Sequence, residues 1–265
     1  MSSGPFIRPR RVESPAVRCV VVPHAGGSGS AYYPLTRELP DGWDLLLLDL
    51  PGRGKRSSMP ALEDMASLVD LVTDDVAACA GDAPLALFGH SLGGAVAFEA
   101  ARALQRRGRA PVWTGVSGLV APDRGPVPRD LDAELADEEL MARVAAVGAL
   151  PERANELPAF REQFLGLLRS DLRALAGYRP AAGRTPLSGP LTVFGGTDDV
   201  LAPPHTLSAW ARETHGPHHV RLYPGGHFHF FGSRFPAFAR AIVREIQGAL
   251  REPATPVWER DREAG

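Results

Sequence analysis

The sequence predicts an α/β fold with a mostly parallel central sheet flanked by helices, and three observations support this prediction. Short apolar runs recur along the chain, as strands that are buried on both faces require. Longer segments with apolar residues at helical spacing separate these runs. Several of the runs end in glycine or aspartate, which is typical of a strand that passes into a loop. Alternating strands and helices form βαβ units, which place their functional loops at the carboxyl ends of the strands.

Six segments are predicted to be strands because each is a run of four to six mostly apolar residues. They are residues 17–22, 45–48, 85–88, 112–116, 191–194 and 220–223. Four longer segments are predicted to be helices because their apolar residues fall on one face. They are residues 64–80, 92–107, 207–214 and 235–250.

Residues 121–189 interrupt this alternation because they contain no good strand pattern. The segment begins with three prolines in its first eight residues and then gives helical patterns at 137–147 and 160–177. Helices inserted between two strands predict a lid over the strand ends that covers a substrate pocket. The alternative is a structural cap that does not gate the site.

The chain is therefore divided into a core of residues 1–120 and 190–250 and a helical lid insertion of residues 121–189. The remaining residues, 251–265, are charged and contain two prolines, so we expect a disordered tail.

Composition places the chain among ordinary globular proteins. Apolar residues make up 44% and charged residues 23% of the 265 residues, and the formal net charge is −2. This charge gives no attraction to nucleic acid or to an anionic membrane. The sequence contains neither a secretion signal nor an apolar stretch long enough to cross a membrane. With only Cys19 and Cys79, both expected to be reduced thiols, a cytoplasmic location is predicted.

The strongest functional signal is the segment 89–93, Gly-His-Ser-Leu-Gly, which has the pattern Gly-x-Ser-x-Gly. It follows a predicted strand and opens a predicted helix, which is the setting that a nucleophile elbow requires. The elbow presents Ser91 on a strained turn above the sheet, and small residues at 89 and 93 let strand and helix approach. Ser91 is therefore the predicted nucleophile of acyl transfer.

A serine nucleophile needs a base and an acid, which follow it in the order Ser, Asp, His in proteins with this elbow. His227 is the predicted base because it follows the last predicted strand and two glycines. His229 is the alternative. The acid is expected after the strand 191–194, where Asp198 and Asp199 are adjacent. Asp199 is preferred because the spacing Gly196-x-x-Asp199 places it after a short turn, and Asp198 is the alternative.

Two backbone N–H groups are predicted to bind the oxyanion that forms during acyl transfer. One belongs to Leu92, the residue after the nucleophile. The other is expected from the glycine-rich loop after the first predicted strand, residues 23–30, in which Ala25 is the predicted donor. A flexible turn without function is the alternative interpretation of this loop taken alone.

Four segments in this order carry a resemblance to a known family. They are His-Ala-Gly-Gly at 24–27, Leu-Pro-Gly-Arg-Gly at 50–54, Gly-His-Ser-Leu-Gly at 89–93 and Gly-Gly-His-Phe at 225–228. Together they resemble the type II thioesterases that accompany polyketide synthases and nonribosomal peptide synthetases, over about residues 17–250. The resemblance implies an α/β-hydrolase fold with a helical lid.

The resemblance also implies an activity and a site. Ser91, Asp199 and His227 match the catalytic positions of this family, which hydrolyses acyl groups from the phosphopantetheine thiol of acyl carrier proteins. The carrier domain is then the expected partner, no metal or organic cofactor is expected, and a monomer is favoured. A carboxylester hydrolase on the same fold and a non-catalytic binding protein are the alternatives.

Overall fold

The central sheet has seven strands in the order β1-β3-β2-β4-β5-β6-β7. The computed structural model describes residues 4–122, 131–151 and 153–251. The strands are β1 Phe6–Ile7, β2 Val17–Val22, β3 Trp43–Leu48, β4 Leu85–His90, β5 Trp113–Ser117, β6 Leu191–Gly196 and β7 His218–Tyr223. Neighbouring strands are parallel except for β1, which pairs antiparallel with β3. The predicted fold class is confirmed.

All six predicted strands are present, with ends that differ from the prediction by up to two residues. The sequence did not reveal β1, because two residues are too short to produce an apolar pattern. The carboxyl ends of β2, β4, β5, β6 and β7 point in one direction, so the loops that follow them meet along one edge of the sheet. The predicted site residues Ala25, Ser91, Asp199 and His227 lie on these loops, and Leu92 is the first residue of the helix that follows β4.

Helices cover both faces of the sheet and form the insertion. They are α1 Met65–Ala80, α2 Leu92–Arg106, α3 Asp137–Ala146, α4 Arg153–Glu156, α5 Pro158–Gly177 and α6 Phe235–Arg251. The Asp64 carboxylate caps α1 by accepting a hydrogen bond from the Ser67 N–H at 2.8 Å. The helix predicted at 207–214 is a 3-10 helix at Pro204–Glu213, and a second 3-10 helix at Gly29–Arg37 was not predicted.

The core consists of one apolar layer on each face of the sheet. Alternate residues of β2 divide between the layers: Val20 and Val22 pack with α1 and α2, whereas Cys19 and Val21 pack with α6. The predicted thiols are both free, with Cys19 buried and Cys79 half-buried. In the ranges that the structure describes, no helix has the length and apolar character to cross a membrane.

The insertion between β5 and β6 contains α3, α4 and α5 and has a small apolar core of its own. The predicted helices at 137–147 and 160–177 correspond to α3 and α5, whereas the short α4 was not predicted. On α5, Leu168 and Leu172 belong to the insertion core, and Leu175 packs with the main core beside α2. Because it takes part in both, α5 joins the insertion to the sheet. The predicted disordered tail lies outside the described residues after Arg251.

Candidate active site

Ser91 occupies a strained turn between β4 and α2. Its φ is 55° and its ψ is −121°, and among the described residues it is the one non-glycine residue with a positive φ. Such a conformation costs about 1–3 kcal/mol and persists only where its surroundings hold it. The Ser91 N–H donates to the Ser117 carbonyl of β5 at 2.8 Å, which fixes the turn against the neighbouring strand.

The glycines of the elbow permit close backbone contacts. A β-carbon at Gly89 would overlap the backbone of Gly93, and a β-carbon at Gly93 would overlap the carbonyl groups of Val22 and Pro23. Any side chain at either position would therefore force β4, α2 and β2 apart. The steric reason that the sequence pattern suggested is thus visible in the structure.

The predicted acid and base are hydrogen-bonded to each other. His227 Nδ1 lies 2.9 Å from Asp199 Oδ2, and both side chains are buried. Because an ionised carboxylate can only accept, Nδ1 donates and Nε2 is left with its lone pair. Asp199 Oδ1 accepts hydrogen bonds from the backbone N–H groups of Leu201 at 2.9 Å and Ala202 at 3.0 Å.

These contacts determine the charge state of Asp199. Burial raises the pKa of its carboxyl, but the hydrogen bond and charge of His227 and the two backbone donors outweigh burial and leave the pKa below its ordinary value. The carboxylate is therefore ionised at neutral pH and orients the imidazole.

The loops that carry the acid and the base are joined by backbone hydrogen bonds. The Thr197 N–H donates to the Tyr223 carbonyl and the Asp198 N–H donates to the Gly225 carbonyl, both at 2.9 Å. A β-carbon at Gly196 would overlap the carbonyl groups of Gly225 and Gly226. The glycine at the end of β6 therefore lets the histidine loop lie directly against the acid loop.

The two alternative residues have other surroundings. Asp198 is exposed and accepts a hydrogen bond from the Thr197 hydroxyl at 3.1 Å. His229 is buried and stacks on Tyr223 with ring centroids 5.5 Å apart, and neither ring nitrogen has a hydrogen-bond partner among the described residues. Burial lowers the pKa of His229 to about 4. The structure thus brings His227 and Asp199 together and leaves His229 in an aromatic cluster.

Ser91 and His227 line the same small cavity, which has a volume of about 40 Å³. Its other lining residues are Ala25, Gly118, Leu119, Val120, Leu131, Leu172, Leu175 and Leu201. Within the described residues the Ser91 hydroxyl has no hydrogen-bond partner. Two larger hollows, of about 410 and 500 Å³, open elsewhere on the surface, and Ser91 lines neither of them.

Both predicted oxyanion donors are available beside this cavity. Leu92 is the first residue of α2, so its N–H has no helical acceptor. In the loop after β2, the Gly26 N–H donates to Asp171 at 2.7 Å, whereas no hydrogen bond within the described chain uses the Ala25 N–H. The geometry therefore leaves Ala25, rather than Gly26, free to donate to a bound group.

Gly118 is a site residue that the sequence analysis missed. Its φ is +61°, and a β-carbon there would collide with the imidazoles of both His90 and His227. The glycine that follows β5 was the available signal, but which histidines would lie against it depends on strands that are distant in the sequence. The absence of a side chain at Gly118 leaves space for the imidazole of His227.

Two more histidines lie behind the base as neutral groups. Burial, with smaller effects of the nearby His227 and Arg53 charges, lowers the pKa of His24 to about 3. His24 Nδ1 lies 3.0 Å from the Tyr32 hydroxyl. Burial likewise lowers the pKa of His90, whose Nδ1 lies 3.1 Å from the Ser117 hydroxyl. The ring of His90 is 4.7 Å from that of His227, so it packs against the base.

Neither the site nor the rest of the described chain contains a group of three or more His, Cys, Asp or Glu side chains arranged to hold a metal ion. The groups that the structure assembles are a serine on an elbow, a histidine–carboxylate pair and two unused backbone donors. These groups are suited to acyl transfer through a serine nucleophile.

The thioesterase domain model matches residues 18–246. Among curated proteins, the thioesterase PikA5 of Streptomyces venezuelae is 37% identical over 217 residues, which cover 81% of this chain and 75% of that protein. A probable cadicidin biosynthesis thioesterase of Streptomyces griseus is 34% identical, over 91% of this chain and 66% of that protein. The gramicidin S biosynthesis protein GrsT of Aneurinibacillus migulanus is 29% identical, over 83% of this chain and 85% of that protein.

Solved structures give the same result. RedJ, a thioesterase from the prodiginine pathway of Streptomyces coelicolor, superimposes with a TM-score of 0.80 at 32% identity, covering 92% of each chain. BorB, a type II thioesterase from the borrelidin biosynthetic cluster, gives 0.79 at 30% identity, covering 91% of this chain and 96% of BorB. The chain therefore belongs to the thioesterase family, whose members are hydrolases that act on thioesters.

Proposed function

We propose that this thioesterase removes acyl groups from the phosphopantetheine arm of acyl carrier protein domains, with Ser91 as the nucleophile. The observation that carries the catalytic part of this proposal is that Ser91 and His227 line one cavity while His227 is hydrogen-bonded to the buried Asp199. Ser91, His227 and Asp199 form the proposed triad, and Ala25 and Leu92 are the proposed oxyanion donors.

The proposed reaction has two halves. In the first, the Ser91 hydroxyl attacks the thioester carbonyl while His227 Nε2 accepts its proton, and Asp199 stabilises the imidazolium that forms. The negative charge on the former carbonyl oxygen is stabilised by the N–H groups of Ala25 and Leu92. The carbon–sulfur bond then breaks and the departing sulfur takes the proton from His227, which leaves the imidazole neutral; a thiol with a pKa of about 8.5 is a good leaving group, so the bond can break before this proton is transferred.

The second half returns the enzyme to its starting state. The acyl group is now an ester of Ser91, and a water molecule attacks it while His227 accepts a proton from that water. The Ser91 oxygen leaves, recovers a proton from His227, and the carboxylic acid is released. His227 thus accepts one proton and gives it up again in each half-reaction.

The proposal of a carrier protein as the substrate rests on the relatives. Two of them are named for the biosynthesis of cadicidin and of gramicidin S, and a third, BorB, is a type II thioesterase of a biosynthetic cluster. Assembly lines of this kind hold their intermediates as thioesters on carrier proteins. A hydrolase of the family would clear stalled or unwanted acyl groups from them.

The size of the cavity supports a movement of the insertion when substrate enters. A cavity of about 40 Å³ has space for about one water molecule, which is too little for an acyl chain. Three leucines of the insertion, Leu131, Leu172 and Leu175, line it. We propose that the insertion acts as a lid and that an acyl chain occupies the space that these side chains fill when no substrate is present.

A comparison of matched substrates tests the reaction type. We expect the enzyme to hydrolyse an acyl-pantetheine thioester at a kcat/KM at least about tenfold above that of the oxygen ester with the same acyl group, and Ser91→Ala to abolish both activities. A preference for the oxygen ester would favour a carboxylester hydrolase. If neither substrate were hydrolysed, the chain would be a binding protein.

A second measurement tests the carrier. Acyl carrier proteins loaded with different acyl groups are incubated with the enzyme, and their intact masses are recorded by mass spectrometry. We expect wild-type enzyme to return the carrier to its unacylated phosphopantetheine mass and Ser91→Ala to leave it acylated. Hydrolysis of acyl-pantetheine without any loss of acyl groups from carriers would contradict the proposed partner.

A further inference from the structure

A buried ion pair joins the insertion to two loops of the core. Asp171, on α5, is 1% exposed, and Arg53, in the turn after β3, is 5% exposed. The two side chains form a fork: Arg53 Nη1 lies 2.6 Å from Asp171 Oδ2, and Nη2 lies 2.7 Å from Oδ1. Burying two charges costs free energy, and replacing a buried ion pair with apolar side chains often leaves the stability of a protein unchanged. A contribution to stability therefore does not by itself explain the pair.

The ion pair holds the glycine-rich loop after β2 at two points. Asp171 Oδ2 accepts a hydrogen bond from the Gly26 N–H at 2.7 Å, and Arg53 Nη1 donates to the Gly27 carbonyl at 3.0 Å. Gly26 has a φ of +72° and belongs to neither a helix nor a strand, so its conformation depends on such external contacts.

These contacts fix the peptide group that carries the proposed oxyanion donor. The carbonyl of His24 and the N–H of Ala25 belong to one planar peptide unit. The Gly27 N–H donates to that His24 carbonyl at 3.0 Å. With Gly26 and Gly27 held by Asp171 and Arg53, this peptide cannot rotate, and the Ala25 N–H keeps a fixed direction beside the cavity.

The same helix that supplies Asp171 also closes the cavity. The Phe164 ring lies 2.8 Å from the place where a β-carbon of Gly26 would be, and Leu172, next to Asp171, lines the cavity above Ser91. When α5 packs against the core, Asp171 therefore also fixes the glycine-rich loop after β2, which carries the proposed oxyanion donor Ala25.

We propose that Asp171 and Arg53 are positioning residues that orient the Ala25 N–H for the oxyanion when α5 is seated. This inference rests on the proposed roles of Ser91 and Ala25. It assigns to the insertion a part in transition-state stabilisation, since the lid closes the cavity and also completes the site.

The test replaces the pair by apolar side chains. Arg53→Met with Asp171→Leu removes both contacts with the loop and keeps α5 packed. With an acyl-pantetheine thioester as substrate, we expect kcat to fall about 10- to 100-fold, as a displaced oxyanion donor does, with little change in KM. The inhibition constant of an alkyl trifluoromethyl ketone, whose serine adduct places an oxyanion in the same site, should rise by the factor by which kcat/KM falls.

Arg173→Met is the matched control on the same helix, because Arg173 pairs with Glu63 and Glu134 at the surface and lies away from the loop. It should leave kcat and the inhibition constant unchanged. Asp171→Asn keeps an oxygen that accepts from Gly26, so it should recover part of the lost kcat and provides the test if the double variant does not fold. An unchanged kcat in a folded variant, a change confined to KM, or an equal loss in Arg173→Met would overturn the inference. Activity in Ser91→Ala would instead overturn the proposed function.

Discussion

The loops that carry the proposed triad and the insertion that covers them are held in place by different interactions. The elbow, acid and base loops are fixed by backbone hydrogen bonds to neighbouring strands and by glycines that allow backbone contact, as Gly93 and Gly196 do. The insertion has its own small core and several ion pairs at its surface. Those pairs are Arg143–Glu139, Arg161–Glu138, Arg169–Asp137 and Arg173–Glu134.

We propose that this difference separates two tasks: the core loops carry out the reaction, and the insertion controls the access of substrate to Ser91. Exposed ion pairs contribute about 0–1 kcal/mol each, so these pairs hold the parts of the insertion to one another only weakly. Moving the triad would require breaking backbone hydrogen bonds that join β4 to β5 and the acid loop to the base loop. We propose that Ser91, His227 and Asp199 stay fixed while the cavity above them changes size. In this proposal the Arg53–Asp171 pair links the insertion to the loop that carries Ala25.

The largest effect on kcat is expected in the acid loop, where Asp199 can be compared with the adjacent Asp198. Asp199→Asn should lower kcat about 10³- to 10⁴-fold, because an amide can hold His227 in the tautomer that does not accept the serine proton. Asp198→Asn should leave kcat within about threefold, because this exposed side chain contacts only Thr197 among the pairs described. Steady-state kinetics on an acyl-pantetheine thioester measures both. A larger loss in Asp198→Asn would reverse the assignment of the acid.

A smaller effect is expected from the insertion, where a leucine determines the space above Ser91. Leu175→Ala should raise kcat/KM for longer acyl chains relative to shorter ones by about tenfold, because truncation enlarges the cavity that Leu175 lines. Leu165→Ala is the control, since Leu165 is buried in the insertion core and does not line that cavity. Kinetics over a series of acyl chain lengths gives the ratio. If both variants shifted the ratio equally, loosening of the lid and not cavity size would set the preference.

The smallest effect on activity is expected from His229, which lies two residues from the base. Burial lowers its pKa to about 4, so on acidification the unfolded chain binds a proton that the folded chain does not. The contribution of His229 to the free energy of unfolding is complete above the unfolded pKa of about 6.5 and is lost as the pH falls towards 4. Between pH 7 and pH 5 the wild type should lose about 2 kcal/mol through His229.

His229→Phe should remove this part of the acid sensitivity and leave kcat near the wild-type value. The ring nitrogens of His229 have no hydrogen-bond partner among the described residues, so the substitution removes no hydrogen bond that the structure describes. His24 and His90, whose pKa values are also lowered by burial, should keep the remaining acid sensitivity. Urea unfolding at pH 7 and pH 5 measures the difference. A variant as acid-sensitive as the wild type, or one without activity, would contradict this role of His229.

The sequence predicted the parts of the site that depend on local chain geometry. The elbow was recognisable because its glycines, its serine and the flanking strand and helix lie within about twenty residues. The order of acid and base was taken from proteins that share this elbow, and each residue was sought in the loop after a predicted strand. Contacts between distant segments were not predictable: Asp171 and Arg53 are 118 residues apart, and Gly118 touches His227 only because β5 and the last loop become neighbours. The strand β1 was missed because two residues carry no periodic pattern.

The sharpest test of the proposal that His227 activates Ser91 as a nucleophile is covalent labelling with a fluorophosphonate. The reagent reacts with a serine hydroxyl that a base activates, and peptide mapping by mass spectrometry locates the adduct. We expect one adduct per chain on Ser91, no adduct in Ser91→Ala, and labelling that is strongly slowed in His227→Ala but not in His229→Phe. An adduct on another residue, or equal labelling of Ser91→Ala and wild type, would contradict this proposal.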